Sequence, residues 1–368
     1  GRHTGGSWSG LAAALLMALL PISAGLSREV LLEICLASTV AWGVYALLKS
    51  EYLSKRSWLL ALGAVFGLGM LAKWSFFLYL APLFSWAWLQ GGRRGAGRDY
   101  KGLAWALLVF LCITLPWYLH TPRTLVKGLL GNMGQRSVQE HDPSVLSLDS
   151  LLYYPASLIN EQVFLPLALL LSAGVVWGCI KARGQTRLLL VWFLGGLAVL
   201  LLIRNKDARY LFPLLPAACL LAMGWLACLK SRFWRSALYT SAFTVALAAF
   251  WGSSFGQGPM AAETWLEDGA LCLKVCGADN QYSRPPLKDD WKVPRILEKT
   301  RRDWNRNDRA PVLGVMASLY FFHKSAFSAW SQAVGPTVRV VSCLEPQNWP
   351  AGQPEAGLRE DLGKLDYL

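Results

Sequence analysis

Charge is scarce in this chain. Of its 368 residues 16% are charged, 54% are hydrophobic, and the mean hydropathy is +0.34. That composition excludes an ordinary soluble domain and indicates a membrane protein. Acidic residues are the scarcer sign, 23 against 36 basic ones, for a formal net charge of +13. Such an excess could serve a nucleic-acid binder. Here the basic residues fall mostly in short loops between apolar runs, and no basic-aromatic patch or binding motif is present. The positive-inside rule accounts for them, so no nucleic-acid partner is expected.

Histidine is rarer still, at four residues. No H-E-x-x-H, G-x-S-x-G or Walker pattern occurs, which leaves zinc-protease, hydrolase and NTPase readings without support. There is no internal repeat, low-complexity tract or Gly-rich phosphate loop. Five of the eight cysteines (Cys35, Cys112, Cys179, Cys219 and Cys228) lie in apolar runs and read as packing residues. Cys272, Cys276 and Cys343 lie in the tail. A Cys272–Cys276 disulfide is open to an extracytoplasmic tail, whereas no further ligand follows at metal-site spacing. The chain starts Gly1-Arg2-His3 and shows no signal peptide, so it reads as a fragment, cut at the front and after Leu368.

What the chain has in quantity is long apolar runs. About nine approach the roughly 20 residues that a membrane helix needs. They are Trp8–Gly25, Val30–Leu48, Ser57–Ala72, Trp74–Gln90, Gly102–Leu119, Gln162–Ile180, Leu188–Ile203, Tyr210–Leu229 and Ser236–Gly252. Lys73 and its aromatic neighbours predict a break between the third and fourth. Alternate loops are basic: Lys49, Lys55 and Arg56; Arg93, Arg94, Arg98 and Lys101; Lys181, Arg183 and Arg187; Lys230, Arg232 and Arg235. These are expected on the cytoplasmic side. The outer side then receives Arg28 to Glu33, Lys73, the loop His120–Glu161, the Arg204–Arg209 cluster and the tail from Ser253. The loop is too long for a simple connector, and Thr124–Leu130 and Leu146–Ile159 read as short helices on the membrane surface.

From residue 258 the composition changes, with more charge and proline and no long apolar run. Trp291–Trp304 predicts an amphipathic helix, Pro311–Ser318 a strand, Phe321–Val334 a helix, Thr337–Leu344 a strand and Leu358–Leu365 a helix. That alternation suits a small α/β domain with a parallel sheet. The expected division is a membrane domain over residues 1–257 and a soluble one over 258–368.

Chemistry gathers at the helix mouths. Glu33 stands about one turn inside an apolar run, where a carboxylate must face a partner or water. It could pair with Arg28 or form a polar wall of a site. Lys73 ends a helix, either snorkelling or offering a point charge to a phosphate. The charged cluster Arg204 to Arg209 meets an apolar segment with Pro213 and Pro216 in its first turns, beside the interfacial Tyr210. Cations converging on one face suit a lipid phosphate, because arginine binds it bidentately. His141-Asp142 is either an acid–base step or loop polarity. Gly63 and Gly67 form a small-xxx-small pattern that favours close helix packing.

Three segments carry a resemblance. Pro21 to Glu33 (Pro-Ile-Ser-Ala-Gly-Leu-Ser-Arg-Glu-Val-Leu-Leu-Glu), Gly67 to Lys73 (Gly-Leu-Gly-Met-Leu-Ala-Lys) and Arg209 to Pro216 (Arg-Tyr-Leu-Phe-Pro-Leu-Leu-Pro) stand in this order on the expected outer side. With them the chain resembles the GT-C membrane glycosyltransferases of the PMT/ArnT-like group, family 39 and its bacterial relatives. The ending Leu365-Asp366-Tyr367 is similar to a strand near the close of the periplasmic domain in some members. The resemblance implies an all-α polytopic GT-C bundle of about nine membrane helices in the inner (plasma) membrane, with a small C-terminal extracytoplasmic α/β domain. It implies a polyprenyl-phosphate-linked sugar donor, membrane lipid around it, and an acceptor outside. Arg28, Glu33, Lys73, Arg204, Arg209 and Tyr210 are the implied substrate-binding residues. The family's catalytic aspartate lies in its first outer loop, which is expected upstream of Gly1, so no catalytic base is assigned and the fragment is expected to be inactive alone. No cofactor is required, though some relatives leave a divalent cation open. The alternatives are a transporter of an anionic or lipid-linked substrate and a membrane scaffold. A transporter would show inverted repeats and charges near the midplane. Nothing in the sequence sets an oligomeric state.

Overall fold

The computed structural model describes residues 6–29, 31–93, 97–120, 142–268, 271–277, 285, 292–304, 310–315, 327–328, 330–332 and 338–342. The chain forms two compact units, Gly1–Pro286 and Leu287–Leu368.

The first unit is mainly helical. It opens with α1 (Ser7–Leu19) and α2 (Pro21–Arg28), bent by 60° at Leu20. Pro21 forces the bend, because its ring drives the preceding residue into extended backbone, and Leu20 has φ −61 and ψ 136. Four helices follow: α3 (Glu33–Lys49), α4 (Arg56–Ala72), α5 (Phe76–Arg93) and α6 (Tyr100–His120). The break expected at Lys73 separates α4 from α5, with Lys73 extended at φ −159. Then come α7 (Leu148–Ser157), a π-helical turn (Leu158–Val163), α8 (Phe164–Ile180), α9 (Gly184–Leu190), a second π-turn (Val191–Gly195) and α10 (Gly196–Leu202). A 3-10 turn (Ala208–Leu214) leads into α11 (Leu215–Ala227), and α12 (Arg232–Phe255) ends the helical part. An antiparallel hairpin of β1 (Thr264–Asp268) and β2 (Leu271–Cys276) packs against the first π-turn and α8.

All nine apolar runs contain helix, yet among the described residues four helical stretches are both long and apolar enough to cross a membrane: Tyr100–His120, Leu148–Ile180, Gly184–Leu202 and Ala208–Ala227. The bent pair α1–α2 makes five if it is one span. For α4 the cause is Lys73, which stops the helix at 17 residues, about 26 Å of rise against a hydrocarbon core of about 30 Å. The helix expected within Leu146–Ile159 forms as α7; with the π-turn and α8 it belongs to one apolar helical stretch, Leu148–Ile180, interrupted at Phe164 by φ 65 and ψ 160. Thr124–Leu130 lies outside the described residues. The Cys272–Cys276 bridge does not form. Both lie on β2, where four residues of strand separate them by about 13 Å, beyond a disulfide's reach.

The core centres on α11, whose Ala217, Ala218, Cys219, Leu221 and Ala222 are buried against α1 and α8. Glycines set the closest approaches. A Cβ on Gly63 would lie 2.2 Å from the Ala106 carbonyl oxygen, and one on Gly67 2.8 Å from Ile113. The small-xxx-small pattern is therefore a packing seam between α4 and α6. Gly63→Leu should push these helices apart and cost about 1–3 kcal/mol or more. A fall in detergent melting temperature checks it, and an unchanged midpoint would disprove the seam.

The unit has two chemically distinct ends. Seventeen residues of α3, about 25 Å, separate Glu33 from Lys49. At the Lys49 end the basic loops meet: Arg56 Nε donates to Asp99 Oδ2 at 2.9 Å, and the Asp99 N–H donates to the Leu53 carbonyl at 3.1 Å. Glu33 and Lys73 lie at the other end.

In the second unit, α13 (Val293–Asp303) buries Val293, Leu297 and Thr300, with Leu297 among Leu313, Val315, Phe327 and Val338. Strands β3 (Val312–Val315) and β4 (Arg339–Ser342) pair in parallel. Leu358–Leu365 and Leu365-Asp366-Tyr367 lie outside the described residues.

Candidate functional site

The site is built around the 3-10 turn Ala208–Leu214. A 3-10 turn pairs each carbonyl with the N–H three residues on. Pro213 and Pro216 have no N–H, so the carbonyls of Tyr210 and Pro213 lose those donors. Side chains from other elements replace them. The Tyr79 hydroxyl, from α5, donates to the Tyr210 carbonyl at 2.9 Å. Trp192 Nε1, from the second π-turn, donates to the Pro213 carbonyl at 3.1 Å. Gln162 Nε2, from the first π-turn, donates to the Ala208 carbonyl at 2.6 Å. The prolines thus account for the ties to Tyr79 and Trp192, and Gln162 adds a third on a carbonyl that no proline frees. Asp207 caps its start, accepting from the Arg209 N–H at 2.9 Å.

Arg209 then turns back on the same carboxylate. Its Nε donates to both Asp207 oxygens at 3.0 Å, and its Nη2 also reaches Oδ2. Arg209 Nη1 stands 3.8 Å from Glu33 Oε1. Lys73 Nζ donates to that same oxygen at 2.7 Å and lies 5.2 Å from the centre of the Tyr210 ring. The Glu33 side chain is only 3% exposed. Its ionised form in such a place requires these two cations.

Together these groups open onto a cavity of about 660 Å³. Its lining includes the charged or polar Glu33, Lys73, Arg204, Asn205, Arg209 and Tyr210, and the apolar Leu32, Trp74, Phe77, Leu202 and Ile203. Leu32, Phe77 and Leu202 are exposed. Tyr210 Oη donates to Asn205 Oδ1 at 3.0 Å, which braces the rim. Arg204 is exposed and has no hydrogen bond or ion pair among the described residues.

Five of the six residues expected to bind substrate, Glu33, Lys73, Arg204, Arg209 and Tyr210, line this cavity. Arg28 is elsewhere: its Nη1 and Nη2 donate to the carbonyls of Ser254 (3.2 Å) and Ser253 (3.4 Å) at the end of α12. That is a helix C-terminus, where a cation is favoured. Glu33 therefore pairs with Lys73. Lys206 also turns away, donating to the Leu200 and Leu201 carbonyls at 3.0 Å each and capping α10. Burial lowers its pKa, and Asp142, which accepts from the Lys206 N–H at 3.0 Å, opposes that shift. Asp142 is thus a loop anchor. His141 lies outside the described residues. Among the described residues no three His, Cys, Asp or Glu side chains form a metal-binding group.

Residues 1–120 match the dolichyl-phosphate-mannose-protein mannosyltransferase family. No curated protein and no solved structure matches the chain. The match covers two of the three resembling segments, Pro21–Glu33 and Gly67–Lys73. The third segment, Arg209–Pro216, lies beyond it. Tertiary contact joins the two, because Arg209 reaches Glu33 and Tyr79 holds the Tyr210 carbonyl.

The sequence reading missed Tyr79, Asn205 and the role of Asp207. Asp207 carried a signal: an aspartate two residues before arginine at a turn start can cap the turn and grip the guanidinium. Tyr79 carried none, since its partner Tyr210 is distant in sequence; Asn205 was within local reach of Tyr210, five residues on.

Proposed function

We propose that the protein moves a sugar from a polyprenyl-phosphate donor to an extracytoplasmic acceptor, and that the Glu33–Lys73–Arg209 cavity receives the donor phosphate. The acceptor hydroxyl oxygen attacks the anomeric carbon and its proton passes to a base. The bond from that carbon to the phosphate oxygen breaks, and the phosphate leaves with the electron pair. Inversion at the carbon follows from the single displacement. Negative charge grows on the leaving oxygen, and preorganised cations there lower the barrier. Lys73, Arg204 and Arg209 fill that role, while Glu33 holds the first and last in place. The polyprenyl chain lies along Leu32, Phe77 and Leu202.

One observation carries this reading: three cations and one buried carboxylate share a cavity with exposed apolar side chains, Leu32, Phe77 and Leu202. Its size falls in the usual range for ligand pockets, about 300–1,000 Å³. The family match over residues 1–120 supports the reaction class.

Arg204 gives the cleanest test, because among the described residues no carboxylate holds it. Arg204→Ala should weaken binding of a short-chain polyprenyl phosphate about 10- to 100-fold, the worth of a charge-assisted hydrogen bond. The melting temperature without ligand should not move. Equal affinity of wild type and variant, measured by calorimetry in detergent, would remove the cavity from donor binding.

A further inference from the structure

The first unit holds a second cavity, of about 500 Å³, at the opposite end from the first. It lies under the turn between α3 and α4 and beside the start of α9. We propose that this cavity binds the headgroup of an anionic phospholipid, with Lys49 and Lys55 holding its phosphate.

The turn is unusual. Glu51, Tyr52 and Leu53 stand consecutively in left-handed backbone, at φ 49, 61 and 70. None is glycine, and each such residue costs about 1–2 kcal/mol. The surroundings hold the conformation. Leu53 is fully buried, the Ser50 hydroxyl accepts from the Leu53 N–H at 3.2 Å, and the Leu53 carbonyl accepts from Asp99 N–H. The outcome is geometric. Lys49 and Lys55, six residues apart, both line the cavity, and Tyr52 is directed onto Trp86 with ring centres 5.8 Å apart.

The lining has the chemistry of a membrane interface. Trp58 and Trp86 are amphipathic rings that favour headgroup depth, and Leu47, Leu48 and Leu188 give an aliphatic floor. Lys55 is held by Glu51 at 2.5 Å, but both are more than half exposed. Such a pair is worth under about 1 kcal/mol, so an arriving phosphate can take the lysine. Lys49 lies 5.7 Å from the Tyr45 ring. The Arg56–Asp99 pair borders the turn, and the basic loops gather at this end, where their field favours anions. A basic, aromatic pocket between helix ends is the form in which anionic lipids are recognised. This inference does not depend on sugar transfer, since it concerns the other end of the bundle.

The test uses the purified 368-residue chain in neutral detergent. Phosphatidylglycerol, phosphatidylcholine and inorganic phosphate are titrated separately, with bound lipid counted by native mass spectrometry. Phosphatidylglycerol should bind at least tenfold more tightly than phosphatidylcholine. Lys49→Gln with Lys55→Gln should weaken it about fivefold per lysine, whereas Lys299→Gln with Arg301→Gln, on the exposed face of α13 in the second unit, should not. Wild type needs no variant for a second reading: phosphatidylglycerol should slow acetylation of Lys49 and Lys55 and leave Lys292 and Lys299, in the second unit, unchanged. Equal protection of all four lysines, equal binding of the two lipids, or competition by millimolar inorganic phosphate would each overturn the proposal.

Discussion

Lys73→Met alone should destabilise the protein by about 3–5 kcal/mol, and adding Glu33→Gln should restore most of that loss. The reason is the place of Glu33. Its carboxylate is buried, Lys73 donates to it at 2.7 Å, and Arg209 stands 3.8 Å away. Removing the ammonium leaves a charge in a site that water barely reaches, with one distant cation. Glutamine removes the charge and keeps the hydrogen-bonding shape. The pair then becomes a neutral contact beside Tyr210, whose ring lies against Lys73. A double-mutant cycle on denaturant or thermal unfolding should give a coupling above about 2 kcal/mol. If Lys73→Met melts with the wild type, Glu33 is solvated and the described network does not hold the site. The cycle also separates folding from function, because the double variant should be folded and unable to bind a lipid phosphate.

The second large effect concerns Arg209. In a chain that also carries the base expected upstream of Gly1, Arg209→Ala should reduce sugar transfer from a polyprenyl-phosphate donor about 10²–10³-fold, as loss of one preorganised donor to a developing negative charge does. Arg209→Lys should recover only part of it. The guanidinium here works as a fork, with one edge on Asp207 and Nη1 towards Glu33. A lysine keeps the charge but cannot occupy both directions, and bidentate geometry is what distinguishes the two residues. Asp207→Asn should show the same direction with a smaller loss, since the side chain still caps the turn but grips Arg209 less firmly. Rates and donor affinities measured on the three variants, with melting temperatures alongside, check the ordering. Normal transfer by Arg209→Ala rejects the assignment.

Several features were legible from residue order alone. The break at Lys73 followed from one charge between two apolar runs, and the parallel pairing of β3 with β4 followed from alternating patterns. Gly63 and Gly67 announced a helix contact by spacing. Other features were not legible. Leu146–Ile159 read as a short helix from its apolar residues, and α7 forms there, whereas the π-turn that follows it depends on packing. Arg28 and Lys206 looked like site cations. Their destinations are carbonyls at helix ends, and no sequence pattern says which helix end a long side chain will reach.

Residue order determined a membrane protein with basic loops, charges confined to helix mouths, and a turn weakened by Pro213 and Pro216. Only tertiary structure decided that Glu33 faces Lys73, that Tyr79 and Trp192 supply the donors the prolines lack, and that Arg204 keeps its charge exposed. The physical reason is range. Hydropathy and backbone chemistry act within a few residues, but pairing a buried charge depends on which helices lie together. Residues 40 and 176 positions from Glu33 neutralise it, and that pairing exists only in three dimensions.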